Sequence, residues 1–195
     1  MVQTPVKQIA LDEFIELPET KPASEYVDGQ IIQKPMPQGH HSIIQSELGI
    51  EISLMLRRKG IATAFPELRC TFGGRSIVPD LAVFENSRIP TTEGQIDNVF
   101  TIAPDWTIEI LSPGQSANKV LKNINHCLAY GAQMGWLIDA EDRSVVISRI
   151  ESPKERLRQR NLEVIDEPSA IVPVPDFARS IELTIDRIFS WLNLM

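Results

Sequence analysis

Two strand-like stretches, SIVPDLAVF at residues 76–84 and DWTIEILSP at residues 105–113, organise the rest of this chain. Both are rich in β-branched, aromatic and aliphatic residues and are bounded by prolines, so each predicts a strand. Each also carries one acid among apolar neighbours, Asp80 in the first and Glu109 in the second. A buried carboxylate must be paired, hydrogen-bonded or metal-bound, because burying it alone is costly.

The two acids allow two interpretations. If the strands are neighbours, both carboxylates open onto one site, and at about 4 Å they would repel by about 4 kcal/mol at an effective dielectric near 20. A hard divalent cation would relieve that repulsion. In the other interpretation, Asp80 caps a turn after Pro79, and Glu109 meets a lysine or arginine across the sheet. The residue types alone leave both open.

Composition limits the class of protein. The chain has 195 residues, 43% of them hydrophobic, so we expect one globular domain over residues 1–195. A formal charge of −7 argues against a strongly basic nucleic-acid binder, but allows an enzyme that meets DNA through a local patch and a metal. Cys70 and Cys127, the two cysteines, exclude a disulfide framework and fit a reducing cytoplasm. We expect a cytoplasmic protein without a membrane segment, since no run of 18 apolar residues occurs.

The remaining pattern predicts alternating helices and strands. Asp28-Gly29 marks a tight hairpin turn, helical spacing of apolar residues marks two long helices, and residues 85–105 form a long polar loop. Besides the two strands above, the predicted elements are helices at 11–17, 41–58, 116–130 and 184–194, a hairpin at 25–34, and strands at 61–71, 135–139, 145–148 and 162–165.

The order helix, three strands, helix, strand, with an acid on the second and third strands, resembles the core of the PD-(D/E)xK nuclease superfamily. The motifs EYVDG, PMPQGHHS, VPDLAVF, EILSP, KNINHCLAYGAQMGWLID and LTIDRIFSWL resemble the Uma2 family, also called DUF820, which is abundant in cyanobacteria and grouped with restriction-type endonucleases. The resemblance covers residues 11–193. It implies an α/β (α+β) fold with a restriction-endonuclease-like core at about residues 40–150, a central mixed sheet flanked by helices, an added N-terminal hairpin, and a C-terminal strand and helix.

The resemblance also implies roles for the acids and for a lysine. Asp80 and Glu109 would bind Mg²⁺ or Mn²⁺. The usual E-x-K lysine would stand at residue 111, which is leucine, and the position to which this family commonly moves it is Asn123. The chain departs from the pattern at both places.

Lys119 and Lys122 are the nearest substitutes for the absent lysine. Lys119 lies about 40° around the helix from position 123, and Lys122 about 100°. Lys119 is better aimed if the ungapped alignment holds, and Lys122 if it slips by one residue. The alternative is that both belong to a solvated helix face.

Weaker matches add three residues. His41 would position substrate or water, with Gln45 one turn further on; the alternative for His41 is an exposed residue at a helix N-terminus. Glu67 would be a further metal ligand, directly or through water. The run 57–59, Arg-Arg-Lys, is explained by the preference of cations for helix C-termini, without DNA.

The functional hypothesis is metal-dependent hydrolysis of DNA phosphodiester bonds by a homodimer. Support for the dimer comes from the hairpin and from apolar residues expected on the last helix. A second hypothesis is a catalytically impaired module that keeps the nuclease fold to bind DNA or protein. A third is a metal enzyme acting on a small phosphorylated molecule, which predicts a closed pocket in place of an open groove.

Overall fold

A computed structural model describes residues 9–150 and 160–194 of the chain. The helices are α1 (Leu11–Ile15), α2 (Gly39–Met55), α3 (Ala117–Ala129) and α4 (Ile185–Ser190). The strands are β1 (Ser24–Val27), β2 (Gln30–Gln33), β3 (Ala62–Pro66), β4 (Cys70–Phe72), β5 (Arg75–Ile77), β6 (Leu81–Glu85), β7 (Thr91–Thr92), β8 (Gln95–Ile96), β9 (Trp106–Ile110), β10 (Met134–Asp139), β11 (Ser144–Ile150) and β12 (Arg160–Ile165).

The main sheet has six strands in the order β12-β11-β10-β9-β6-β3. Strands β9 and β10 are parallel, which requires the crossover through α3, and the other pairs are antiparallel. The two strands proposed to carry the acids are direct neighbours, because Leu81 of β6 pairs with Ile108 of β9. The fold class predicted from the sequence, a mixed α+β core with helices flanking a central sheet, is confirmed.

Helices α2 and α3 cover opposite faces of this sheet. Leu81 and Val83 pack with the buried side of α2, whereas Ala82 and Phe84 pack with that of α3. Because successive strand residues point to opposite faces, burial on both sides explains the continuous apolar run of β6. The same alternation turns Glu109, between Ile108 and Ile110, toward the face covered by α3.

A smaller sheet in the order β2-β1-β5-β4 lies beside the main one. Its hairpin turns at Asp28 and Gly29, with φ angles of 51° and 82°, as the sequence predicts. The pairing of Tyr26 with Ser76 joins β1 to β5. This pairing holds the N-terminal hairpin against the segment that leads into Asp80.

Two predicted strands are wrong in extent. The strand expected at 61–71 is split into β3 and β4 at Pro66 and Glu67, where φ is 49°. The strand expected at 77–84 begins only at Leu81, because Val78-Pro79-Asp80 lies between β5 and β6. The left-handed backbone at Glu67 ends the first strand directly after Pro66, and Pro79, which lacks the N–H of a ladder residue, interrupts the second. Asp80 therefore precedes its strand.

All four predicted helices are longer than the observed ones. Helix α2 ends at Met55 and is followed by a 3₁₀ turn at Arg57–Lys59. Helix α4 buries Ile185, Ile188 and Phe189 in the core, and of the apolar residues expected on the last helix Leu194 is exposed. Within residues 9–150 and 160–194, no helix is long and apolar enough to span a membrane.

Candidate active site

The two predicted acids meet at one point of the main sheet. Asp80 and Glu109 are 2% and 4% exposed. The N–H of Ile110 donates a hydrogen bond of 2.7 Å to Asp80 Oδ2. The Asp80 carboxylate, just before β6, is therefore fixed to the backbone of the neighbouring strand β9. Each of the two interpretations is met in part. The acids lie together, as the shared-site interpretation requires, and Glu109 meets a lysine, Lys34, as the other interpretation predicted. The turn cap proposed for Asp80 does not account for its bond to the Ile110 N–H.

The side chain that joins the two carboxylates is Lys34, which follows β2. Its Nζ lies 2.7 Å from Asp80 Oδ1 and 3.3 Å from Glu109 Oε2. It also donates to the carbonyl oxygen of Val78 at 2.8 Å. These three acceptors match the three protons of an ammonium group, so Lys34 is held in one place.

Sequence reasoning missed Lys34 because it sought the lysine on the strand or helix after Glu109. Residues 34 and 109 are 75 positions apart, and nothing in the local pattern QKPMP indicates where the hairpin docks. The sequence contained one weak indication that Lys34 belongs to the site. The hairpin ends in a cation directly before Pro35, at a point where the chain turns back toward the first long helix.

His41 contacts the same carboxylate from α2. Its Nε2 lies 3.0 Å from Asp80 Oδ2, and the residue is 6% exposed. The interpretation of His41 as an exposed helix-terminal residue is wrong. Gln45, one turn further on, donates from Nε2 to the carbonyl oxygen of Asp80 at 2.8 Å. Helix α2 thus fixes both the backbone and the side chain of Asp80.

A third buried carboxylate, Glu25 of β1, adjoins this group. It accepts hydrogen bonds from the N–H of Val78 at 2.8 Å and from Nδ2 of Asn123 at 3.0 Å. Asn123 stands where the family's lysine was expected, and here its amide ties α3 to the hairpin. Glu25 was noted in the sequence only as part of a turn motif.

Burial and neighbouring charges shift the pKa values of Asp80, Glu109, Glu25 and Lys34 in different directions. Burial raises the pKa of Glu109 to about 8, against the opposing attraction of Lys34. Burial also acts to raise the pKa of Asp80, but Lys34 and His41 outweigh it and lower that pKa to about 2. Burial raises the pKa of Glu25 as well, and for Lys34 the three carboxylates outweigh burial and raise the pKa. At neutral pH this favours a negative Asp80 and a positive Lys34, while Glu109 takes up a proton more readily than a free carboxyl group does.

The predicted lysines of α3 lie at the border of the site. Lys119 and Lys122 are exposed, and neither forms an ion pair with any residue that the structure describes. Both line a cavity of about 550 Å³ that is also lined by Glu109 and Lys34. Lys34 additionally lines a cavity of about 370 Å³ on the side of Asp80 and His41, so it separates two openings.

Glu67 is not arranged as a ligand beside Asp80. Its side chain is exposed, and the contact between them is the Glu67 N–H to the Asp80 carbonyl oxygen at 3.2 Å. Across residues 9–150 and 160–194, no group of three or more His, Cys, Asp or Glu side chains is placed to hold a metal.

The donors that remain are the carboxylates of Asp80 and Glu109. Oxygen donors suit a hard cation, and Mg²⁺ commonly keeps several waters and binds through one or two protein carboxylates. The Lys34 ammonium demonstrates that one cation can contact both side chains at once. The pair therefore fits a water-rich metal site, provided that Lys34 yields part of its position.

The architecture and the buried acidic pair define a restriction-endonuclease-like fold. A sequence profile of the Uma2 family, described as "Putative restriction endonuclease", matches residues 11–186. The chain belongs to the Uma2 family. It is similar to a protein of Anabaena variabilis ATCC 29413 whose crystal structure is described as a putative nuclease of DUF820, with 58% identity over 95% of this chain and 99% of the other, and a TM-score of 0.89. No curated protein matches the chain.

Proposed function

We propose that this protein is a divalent-metal-dependent endonuclease that hydrolyses DNA phosphodiester bonds. The observation that carries the proposal is the pair of buried carboxylates at two neighbouring strands, Asp80 just before β6 and Glu109 on β9, joined by one largely buried ammonium group. Membership of a family described as restriction endonucleases supports the reaction class.

Asp80 and Glu109 would hold Mg²⁺ or Mn²⁺, which when bound polarises a phosphoryl oxygen and lowers the pKa of a bound water. Lys34 would take the lysine role, donating to the negative charge that develops on the phosphate. When a metal takes part of the space between the acids, the ammonium would stay beside it, because it also donates to the carbonyl oxygen of Val78 at 2.8 Å. His41 would keep Asp80 in position. The Nδ1 of His41 is buried without a hydrogen-bond partner among the described residues.

Lys119 and Lys122 would serve the substrate from the rim of the cavity that holds Glu109. Their exposed side chains suit contacts to phosphates on either side of the scissile bond, which position the nucleic acid without reading its sequence. A homodimer would place two sites on one duplex, as two-fold symmetric nucleases require to cut both strands.

The test is cleavage of plasmid DNA in Mg²⁺ or Mn²⁺ by the wild type and by Asp80→Asn, Glu109→Gln and Lys34→Met. We expect each variant to lose cleavage by 100-fold or more, roughly the loss that follows removal of one charge-stabilising group. Lys119→Met/Lys122→Met is the matched lysine control, for which we expect weaker binding with residual cleavage. Wild-type cleavage rates in the Asp80→Asn and Glu109→Gln proteins would refute the mechanism.

The alternative is a non-catalytic module, and one observation favours it. The Asp80 carboxylate is already satisfied by Lys34, His41 and the Ile110 N–H, as in a structural ion pair. This alternative predicts that calorimetric titration with Mn²⁺ gives no binding in the wild type, with or without DNA. Binding that is lost in Asp80→Asn would favour the enzyme.

A further inference from the structure

We propose that a groove along α2 holds one strand of the DNA substrate, with Arg57 and Arg58 contacting its phosphates. The inference rests on the proposed function, and it adds a substrate-binding surface to it. The groove measures about 730 Å³ and lies between the outer side of α2 and the edge strand β3. Residues of α2 and β3 line it, together with Arg57 and Arg58 just after the helix.

One end of the groove reaches the candidate active site. Gln45 lines the groove and donates its amide to the carbonyl oxygen of Asp80. Glu67 also lines it, donates its N–H to the same oxygen, and borders the cavity that contains Asp80 and His41. A strand lying in the groove would therefore be continuous with a phosphate placed at the carboxylates.

The other end is positively charged. Arg57 and Arg58 are exposed, and neither forms an ion pair with a residue in the described ranges. Glu67 is the one acid among the described lining residues, and it lies at the active-site end. This end of the groove is therefore positively charged although the formal net charge of the chain is −7. Placement near a helix C-terminus accounts for cations there, but it does not account for two arginines free to reach into a groove.

The wall between the two ends suits a nucleic-acid strand. Three serines line it with hydroxyl groups that can donate to phosphate oxygens, while Ile50 and Leu54, 49% and 42% exposed, offer apolar surface to sugars. The middle of the groove is roomy, since a Cβ built on Gly49 would meet only Leu81 Cδ2, at an ordinary contact distance of 3.7 Å.

Helix geometry gives the groove a length in nucleotides. Arg57 follows Gln45 by twelve residues, which at 1.5 Å per residue is about 18 Å. Measured along the axis of a B-form duplex, at 3.4 Å per base pair, this distance corresponds to about five base pairs. The arginines should therefore contact the strand about five nucleotides from the scissile phosphate.

The experiment measures binding, so that it does not depend on cleavage. A fluorescein-labelled 20-base-pair duplex is titrated in EDTA at several salt concentrations with the full-length wild type and with Arg57→Gln/Arg58→Gln. The control variant is Arg149→Gln/Arg179→Gln, which makes the same charge change; Arg149 lies on β11 toward the opposite edge of the sheet, and neither residue lines the groove. The slope of log affinity against log salt should fall by about 1.8 in the groove variant, because two phosphate contacts each contribute about 0.9. The control should keep the wild-type slope.

A second arm repeats the titration in EDTA with progressively shorter hairpin duplexes. The difference between wild type and groove variant should vanish once the duplex is shorter than about five base pairs, the length that separates the carboxylates from the arginines. Equal slopes for groove and control variants would overturn the proposal even if the wild type cleaves DNA. If the salt slope falls only in the groove variant and the wild type cleaves no DNA, the DNA-binding groove would be supported and the proposed nuclease activity refuted.

The rival occupant is a second copy of this chain. Sedimentation velocity without DNA tests it with the same proteins. A dimer that dissociates in Arg57→Gln/Arg58→Gln, together with an unchanged salt slope, would assign the groove to a protein interface and overturn the proposal.

Discussion

Replacing Lys34 by methionine should destabilise the protein in a pH-dependent way. Methionine keeps the length of the side chain but removes the cation that contacts Asp80 at 2.7 Å and Glu109 at 3.3 Å. Removing one partner of a buried ion pair typically costs about 3–5 kcal/mol, because the remaining charge is left uncompensated. For a chain of this size, about 2–4 °C per kcal/mol converts this to a fall in the melting temperature of roughly 10 °C.

The pH dependence follows from Glu109. Its pKa of about 8 lies above the ordinary value of 4.5, so the folded protein can compensate for the lost cation by keeping this carboxyl protonated at low pH. The destabilisation should therefore be smaller near pH 6, where the ionised Asp80 alone loses its counter-ion, and largest above pH 8, where Glu109 is ionised as well. Thermal melts of wild type and variant across this range, in EDTA, measure the difference.

A divalent cation should restore part of the loss in Lys34→Met. A ligand at 100 times its dissociation constant stabilises by about 2.7 kcal/mol, and the vacated position lies between both carboxylates. The double variant Lys34→Met/Asp80→Asn is the control, for which Mn²⁺ should have no effect. Equal melting temperatures for wild type and Lys34→Met at pH 8.5 would refute the assignment of Lys34 as the counter-ion of the pair.

Three further outcomes are expected. Because the raised pKa of Glu109 makes the stability of the wild type decline as pH rises from about 4.5 through 8, Glu109→Gln should remove this decline in urea unfolding curves measured without metal. Cys70 and Cys127 are fully buried and burial raises both thiol pKa values, so a disulfide reagent such as DTNB should detect no thiol until the protein unfolds. Gly135→Ala should destabilise by about 1–3 kcal/mol, since the added Cβ would lie 2.2 Å from a side-chain carbon of α3, whereas Gly49→Ala should fit.

The sequence was sufficient for the parts of the fold that depend on local pattern. The strand at 106–110, the helix at 117–129 and the turn at Asp28-Gly29 each follow from spacing or turn chemistry. The position of the break at Pro79 was readable too, because proline interrupts a ladder, but apolar residues on both sides suggested a continuous strand.

Of the four buried or partly buried charged residues at the site, the sequence indicated two, Asp80 and Glu109. An acid within an apolar strand is conspicuous, which is why Asp80 and Glu109 could be selected. Lys34 and Glu25 lie on a polar, exposed-looking hairpin, and their burial comes from the Tyr26–Ser76 pairing, which joins segments 50 residues apart. Such a pairing depends on tertiary packing, so residue types near position 34 could not reveal it.

The long separation between the lysine and its partners sets the order in which this charge group forms. The Ile110 N–H and the Asp80 carboxylate are 30 residues apart, whereas Lys34 is 46 residues from Asp80 and 75 from Glu109. Contacts over shorter separations close at lower entropic cost, so during folding the acids should meet before their counter-ion arrives. In that interval a proton is the nearest available compensation, and refolding should therefore be faster in mildly acidic than in alkaline solution.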